Sequence, residues 1–242
     1  MIGWPRPKRD EEARPVDEHE DFRELLRGLR VRESGALPAL DPAAAPDEPL
    51  PLFRRWLREA AEAGVPGPHT MMLATADAEG RPSVRTVMLH DADEQGWHFG
   101  THRTSRKGRE LAVRPYAALG FHWTEQGRQV RIGGRVTAAG PEESAADLRG
   151  RSPAALTAAL AGGGRQSEVL GSYEELVRAF AAARVRVERE PDATAPSWTL
   201  YVLAADEVEF YQEEERRRHV RLRYRRAGGS EGGGWRRELL WP

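Results

Sequence analysis

The sequence predicts an α+β fold, mainly antiparallel β, whose strands close toward a barrel and whose helices flank it. Three observations predict this. Apolar or alternating runs of strand length recur from His69 onward and are separated by turn sequences such as Asp77-Ala78-Glu79-Gly80, Asp93-Glu94-Gln95-Gly96 and Gln126-Gly127. The order is a helix, many strands, a block of helices and more strands, which is not the strand-helix alternation of a parallel sheet. Closing so many strands into a barrel would also leave few unpaired edges.

Taken in order, residues 1 to about 20 are charged and proline-bearing, with too little apolar surface to offset the entropy of ordering. Phe22, Leu25, Leu26 and Leu29 then recur at helical spacing, so residues 1–48 are expected to form a flexible arm with one short helix, ahead of a main domain over 49–242. In LFRRWLREAAEAG, Leu52, Phe53, Trp56, Leu57 and Ala60 make an apolar stripe and Gly64 ends the helix. Strands follow at His69 to Ala76 and Ser83 to His90, and the run Thr86 to Leu89 is expected to turn at 93–96 and return as Trp97 to Thr101.

Thr104 or Ser105 can cap a short helix that carries Arg106, Lys107 and Arg109 in its first turns. Cations are unfavourable at a helix N-terminus, which is itself positive. The segment is either a solvated basic turn or a phosphate site on which hydroxyls, backbone N–H groups and cations converge. Tyr116 to Glu125 and Arg128 to Gly140 read as two more strands, with Val130, Ile132 and Val136 on an apolar face. Gly133 and Gly134 mark a bulge, a close backbone approach or a sharp bend closing a barrel. Three helices follow in PEESAADLRG, SPAALTAALAGG and SYEELVRAFAAARVRVERE, the last two joined by a polar loop around Gln166 and Ser167. The final strands are SWTLYVLAADEVEFYQ, HVRLRYRR and WRRELLWP; in the second, Val220, Leu222 and Tyr224 share one face and Arg221, Arg223 and Arg225 the other, a face expected to be solvated.

Composition narrows the chemistry. The chain has 242 residues, and 37 Lys+Arg against 38 Asp+Glu nearly cancel, so no global field favours nucleic acid or an anionic membrane. There are no cysteines, which excludes disulfides, thiolate nucleophiles and cysteine-bound metals; redox chemistry would need a cofactor. No apolar run approaches the roughly 20 residues of a membrane span, and the N-terminal stretch lacks the apolar centre of a signal peptide, so a cytoplasmic location is expected. His98 and His102 are four apart on a strand and its exit, not on one helical face, and no metal site is expected. The runs GGGR and SEGGGW lack the strand-to-helix setting of a dinucleotide loop, and Glu142-Glu143 at a helix start complement its dipole.

The runs RTVMLH, FGTHRTSRKGREL, RQVRIGGRV, RQS, EFYQ, RRRHVRLRY and WRRELLWP, in this order and spacing from about Leu52 to Pro242, resemble the pyridoxamine 5'-phosphate oxidase family of FMN-binding split-barrel proteins. The resemblance implies a Greek-key split β-barrel with flanking helices, and a homodimer with two FMN sites at its interface, each built from both subunits. It implies FMN contacts from Arg85, Thr86, Val87, Met88, Leu89 and His90, from Gly100 and Thr101, and from Ser105, Arg106 and Lys107. It adds Gln129, Gln166 and Ser167, Arg221, and Tyr211 where the family usually has tryptophan. Arg217 and His219 match the catalytic pair that lies against the substrate, with His219 the candidate for moving a proton.

The substrate pocket departs from the family pattern. His90 stands where oxidases of pyridoxamine phosphate have lysine, and Asp147 where they have tyrosine, while Arg151 keeps the arginine. An aspartate is repulsive where a phosphate must bind. The THRTSRKGREL segment is also similar to relatives in phenazine biosynthesis. The expectation is therefore an FMN-dependent oxidase that passes two electrons from a nitrogen-containing cyclic small molecule to dioxygen in specialised metabolism. The alternatives are a pyridoxamine or pyridoxine 5'-phosphate oxidase and a non-catalytic flavin-binding protein.

Overall fold

The computed structural model describes residues 18–29, 37–214, 216, 218–227 and 234–242. Contacts divide the chain into Met1–Gly35 and Ala36–Pro242. The first unit carries α1, Glu18–Gly28, the short helix read from the leucine spacing; the rest of the expected tail lies outside the described residues.

The second unit holds the sheet. Its elements are α2 (Pro49–Glu62), β1 (Thr70–Ala76), β2 (Pro82–Met88), β3 (Asp91–Ala92), β4 (Trp97–His102), α3 (Arg106–Val113), β5 (Tyr116–Trp123) and β6 (Arg128–Ala138), then α4 (Pro141–Arg149), α5 (Pro153–Ala161), α6 (Tyr173–Arg189), β7 (Trp198–Gln212), β8 (Val220–Arg226) and β9 (Trp235–Leu239). All nine strands join one antiparallel sheet in the order β2-β1-β5-β6-β7-β4-β3, with β8 on β7 and β9 on β8. This curled sheet with flanking helices is the split-barrel architecture expected from the sequence.

β7 organises the closure because it is long enough to serve three partners. β6 runs along it from Arg128↔Gln212 to Ala138↔Tyr201, β4 takes its first half and β8 its second. The β6–β7 register shifts between Gly133 and Gly134, the bulge among the readings of that glycine pair. A Cβ on Gly134 would fall 2.0 Å from the Ala204 carbonyl oxygen, so the bend needs glycine there.

One expected hairpin is much shorter than the sequence suggested. Thr86 to Met88 pair with β1 and not with Trp97 to Thr101; across the 93–96 turn only Asp91↔His98 and Ala92↔Trp97 form a ladder. Seven β1–β2 pairs and six β4–β7 pairs claim the two runs for different neighbours.

The core is aromatic at its centre. From α2, Phe53 packs edge-on against Trp97 and Phe121, and Trp56 against Phe210. Arg128 is locked beneath this helix: it is 3% exposed, lies 4.4 Å from the Trp56 ring centroid, and donates to Glu59 at 2.6 Å and Gln212 at 3.0 Å. The stretch 37–48, expected to belong to the arm, contributes Leu40 and Ala45 to the same core, and Tyr224 Oη donates to the Pro46 carbonyl at 2.7 Å. Among the described residues no helix is long and apolar enough to cross a membrane.

Candidate functional site

Ser105 caps α3, its hydroxyl accepting the Gly108 N–H at 3.2 Å, and this fixes where the three cations of the helix point. Lys107 turns inward and is 7% exposed. Its Nζ donates to Gln166 Oε1 at 3.1 Å and Thr101 Oγ1 at 3.2 Å, and among the described residues no carboxylate lies within ion-pairing distance. Burial, and then the nearby Arg85 charge, pull its pKa down to about 8, against the opposing pull of Glu110. A buried ammonium held only by neutral oxygens attracts an anion.

Arg85 and Arg106 stand beside it, joined by a residue that the sequence reading passed over. Glu110, 5% exposed, accepts from Arg106 Nε at 2.8 Å, Arg85 Nη2 at 3.2 Å and the Ser83 hydroxyl at 2.6 Å, and Thr75 completes the set. Burial opposes its ionisation, but the hydroxyls of Ser83 and Thr75, then Arg106 and Arg85, bring its pKa down to about 2. Thr75 and Ser83 are register partners in the β1–β2 ladder, so the hairpin presents both hydroxyls to one carboxylate. The only sequence signal for Glu110 was its place one helical turn after Arg106.

The loop after α5 covers this cluster. Ser167 Oγ accepts the Arg106 backbone N–H at 3.2 Å, Thr104 donates to the Gly164 carbonyl, and Ser167 adopts a left-handed φ of 76°, a strained conformation for serine. Arg85, Thr86, Arg106, Lys107, Gln166 and Ser167 line one cleft of about 340 Å³. Three cations against the single Glu110 carboxylate suit a phosphate dianion, and the residues present therefore fit the phosphate end of FMN. Of the other residues expected there, Thr101 and Ser105 reach the cluster through Lys107; Val87 and Leu89 pack on the core, and Met88 lies on the opposite, exposed face of β2.

A second group gathers at the end of α4. His90, Asp147 and Arg151 line a cleft of about 580 Å³. Arg151 Nη2 lies 3.0 Å from Asp147 Oδ2 and 3.1 Å from Oδ1, and also contacts the His90 ring. Asp147 Oδ2 accepts from Trp198 Nε1 at 2.8 Å, and Oδ1 lies 3.2 Å from His90 Nδ1. Burial opposes ionisation, yet His90, Arg151 and Trp198 hold the Asp147 carboxyl well below the usual range. Gly100 lies under this cluster, where a Cβ would come within 2.6 to 2.9 Å of Trp198, His90 and Asp147.

A third group lies at the far end of β6 and β7. Gln129, Tyr211 and Arg221 line a cleft of about 270 Å³ with Arg131 and Glu209. The Tyr211 and His219 ring centroids are 5.4 Å apart, and His219 Nδ1 accepts the Glu214 N–H at 3.1 Å. Arg217, the other expected catalytic residue, lies outside the described residues. The arginine face of β8 is not freely solvated: Arg221 pairs with Glu209 at 2.8 Å, and Arg223 lies 3.5 Å from Glu207 and also pairs with Glu238. His98 pairs with Asp93 at 2.8 Å and His102 Nδ1 lies 2.8 Å from the Ser197 hydroxyl.

Within one chain the first and third groups do not meet. Arg85, Arg106 and Lys107 line one cleft and Gln129, Tyr211 and Arg221 another, with no lining residue in common.

Comparison with known proteins places these features in context. The pyridoxamine 5'-phosphate oxidase family model matches residues 57–189, and the pyridoxine 5'-phosphate oxidase C-terminal dimerisation region matches 198–242. The pyridoxine/pyridoxamine 5'-phosphate oxidase of Rubrobacter xylanophilus is 42% identical over 223 residues, 92% of this chain and 99% of that protein. That of Paraburkholderia phymatum is 40% identical over 88% of this chain and 97% of its own. Among solved structures, PhzG from Burkholderia lata in complex with tetrahydrophenazine-1-carboxylic acid has a TM-score of 0.78 at 33% identity, covering 86% of this chain and all of that one. An FMN-binding relative from Nostoc punctiforme shares the fold, with a TM-score of 0.64 at 20% identity over 84% of this chain and 100% of its own.

Proposed function

Since the chain belongs to the pyridoxamine 5'-phosphate oxidase family, we propose that it is an FMN-dependent oxidase acting on a nitrogen-containing cyclic substrate with dioxygen as acceptor. The observation that carries the cofactor reading is the buried Lys107 ammonium, held by hydroxyl and amide oxygens between Arg85 and Arg106. Bound there, FMN supplies the two-electron acceptor that the cysteine-free chain lacks.

The chain's own groups position and protect. Lys107, Arg106 and the α3 N-terminus hold the phosphate, while Glu110 fixes the two arginines. Because His219 Nδ1 accepts the Glu214 N–H, its neutral ring carries the proton on Nε2, the atom available to hold or move a substrate proton. Arg217 completes the substrate contact in this reading.

A homodimer supplies what one chain separates. The match to a dimerisation region supports it, as does an apolar outer face on β1, β2 and β5 where Met72, Val84, Met88 and Tyr116 remain 51 to 65% exposed. Pairing through such a face can bring Gln129, Tyr211 and Arg221 of one protomer to the cation cluster of its partner.

PhzG, crystallised with a tetrahydrophenazine acid, supports the cyclic nitrogen substrate and a role in specialised metabolism. The second reading, oxidation of pyridoxamine or pyridoxine 5'-phosphate, is favoured by the names of relatives 40 and 42% identical. Anaerobic addition of pyridoxamine 5'-phosphate to the FMN-loaded protein separates the two: a flavin band that stays oxidised supports the first, bleaching supports the second, and failure to take up FMN refutes both. Arg217→Ala should retain FMN and lose turnover.

A further inference from the structure

We propose that Asp147 is a specificity-determining residue: as a built-in counter-ion to Arg151 it closes the cleft beside His90 to phosphate esters, so the substrate is an unphosphorylated ring compound. Calling that ligand a substrate rests on the oxidase reading above; the electrostatic claim does not.

Arg151 would otherwise be the natural anion anchor of this cleft. It is nearly buried, with a side chain 16% exposed, and its guanidinium carbon lies 4.8 Å from the Trp198 ring centroid. Its Nε and Nη2 both reach Asp147, at 3.4 Å and at 3.0 and 3.1 Å, and Nη2 also meets the His90 ring. The partner carboxylate is 12% exposed and is satisfied on both oxygens by Arg151, His90 and Trp198. Asp147 is therefore held in place from three sides, and the cluster rests on β4 at Gly100, where not even a methyl group fits without displacement.

The remaining wall reinforces the exclusion. Asp91, Asp93 and Glu143 also line this cleft, and His98, the other basic group there, is already bonded to Asp93. A phosphate dianion would have to displace a nearly buried carboxylate from its arginine and then sit among three more. A ring compound without phosphate meets a neutralised arginine and loses nothing.

The test is calorimetric. Inorganic phosphate, pyridoxamine 5'-phosphate and unphosphorylated pyridoxamine are titrated into FMN-loaded and flavin-free wild type, Asp147→Asn, Asp147→Ser and the double variant Asp147→Asn with Arg151→Ala. Freeing one guanidinium for a charged hydrogen bond should tighten the phosphate ester by about tenfold or more in Asp147→Asn, leave pyridoxamine within about threefold, and vanish in the double variant. A wild type that prefers the phosphate ester about tenfold over pyridoxamine overturns the proposal, as does the absence of any gain in both single variants when thermal melts show them folded. Without flavin the Lys107 cluster takes up phosphate equally in wild type and the Asp147 variants, so the difference between them reports the Arg151 cleft, and loss of FMN binding would sink the oxidase reading while that difference still decides this one.

Discussion

Replacing Lys107 by alanine removes the cation on which the cofactor reading turns. Its Nζ faces Thr101 and Gln166 oxygens and, among the described residues, pairs with no carboxylate, so its charge is available to a phosphate. A charged hydrogen bond of this kind contributes about 1.5 to 3 kcal/mol, so FMN affinity should fall by about 10- to 150-fold. The pH dependence is more diagnostic. The lysine pKa is about 8, below its ordinary 10.5, and a bound dianion raises it again, so FMN binding takes up a proton above pH 8. Wild-type affinity should hold from neutral pH to about 8 and then fall by up to about tenfold per pH unit, a fall that Lys107→Ala should lack. The same shift acts oppositely on the flavin-free fold: between about 8 and 10.5 the unfolded chain keeps a proton the native chain has lost, so stability rises with pH there. Quenching of FMN fluorescence from pH 6.5 to 9.5 reads both proteins. Equal affinities, or an alkaline fall that survives in the variant, would refute the reasoning.

Other predictions follow from buried charges. Glu110→Ala leaves Arg85 without its counter-ion and should cost about 3 to 5 kcal/mol in urea unfolding at neutral pH. Because the Glu110 pKa is depressed to about 2, its contribution is present above 4.5 and is lost as pH falls toward 2, so wild type and variant should converge in acid. Arg128→Ala should cost about 1 to 3 kcal/mol by uncovering Trp56 and leaving the buried Gln212 amide oxygen without its donor, since half-exposed Glu59 keeps Arg55 within 4.0 Å, and Arg128→Met should recover part of it by restoring packing.

Much of the fold was legible in local pattern. The stripe of Leu52, Phe53, Trp56 and Ala60 and the alternation of Val220, Leu222 and Tyr224 mark buried faces because the periods of helix and strand decide them. Partner choice among strands was less legible: Thr86 to Met88 and Trp97 to Thr101 look like one hairpin, and only sheet-wide pairing assigns them elsewhere. The same limit applies to the site. Lys107 stood out because a cation at a helix start conflicts with the dipole, but Glu110 depends on the Thr75↔Ser83 register. Asp147 was flagged as an anion out of place; its bond to Trp198, 51 residues away, could be seen only in the fold. The arginine face of β8 was read as solvated because its partners, Glu207, Glu209 and Glu238, lie on other strands.

The placing of Lys107 on α3 and Arg221 on β8 in separate clefts has a genetic consequence. If each flavin pocket takes its lysine from one protomer and its Arg221 from the other, a Lys107→Ala chain and an Arg221→Ala chain are each defective alone but complementary when mixed. A heterodimer of the two concentrates both lesions in one pocket and leaves the other intact. Co-expression should restore about a quarter of the wild-type sites from random pairing of two inactive parents. A chain that built each pocket by itself would restore none.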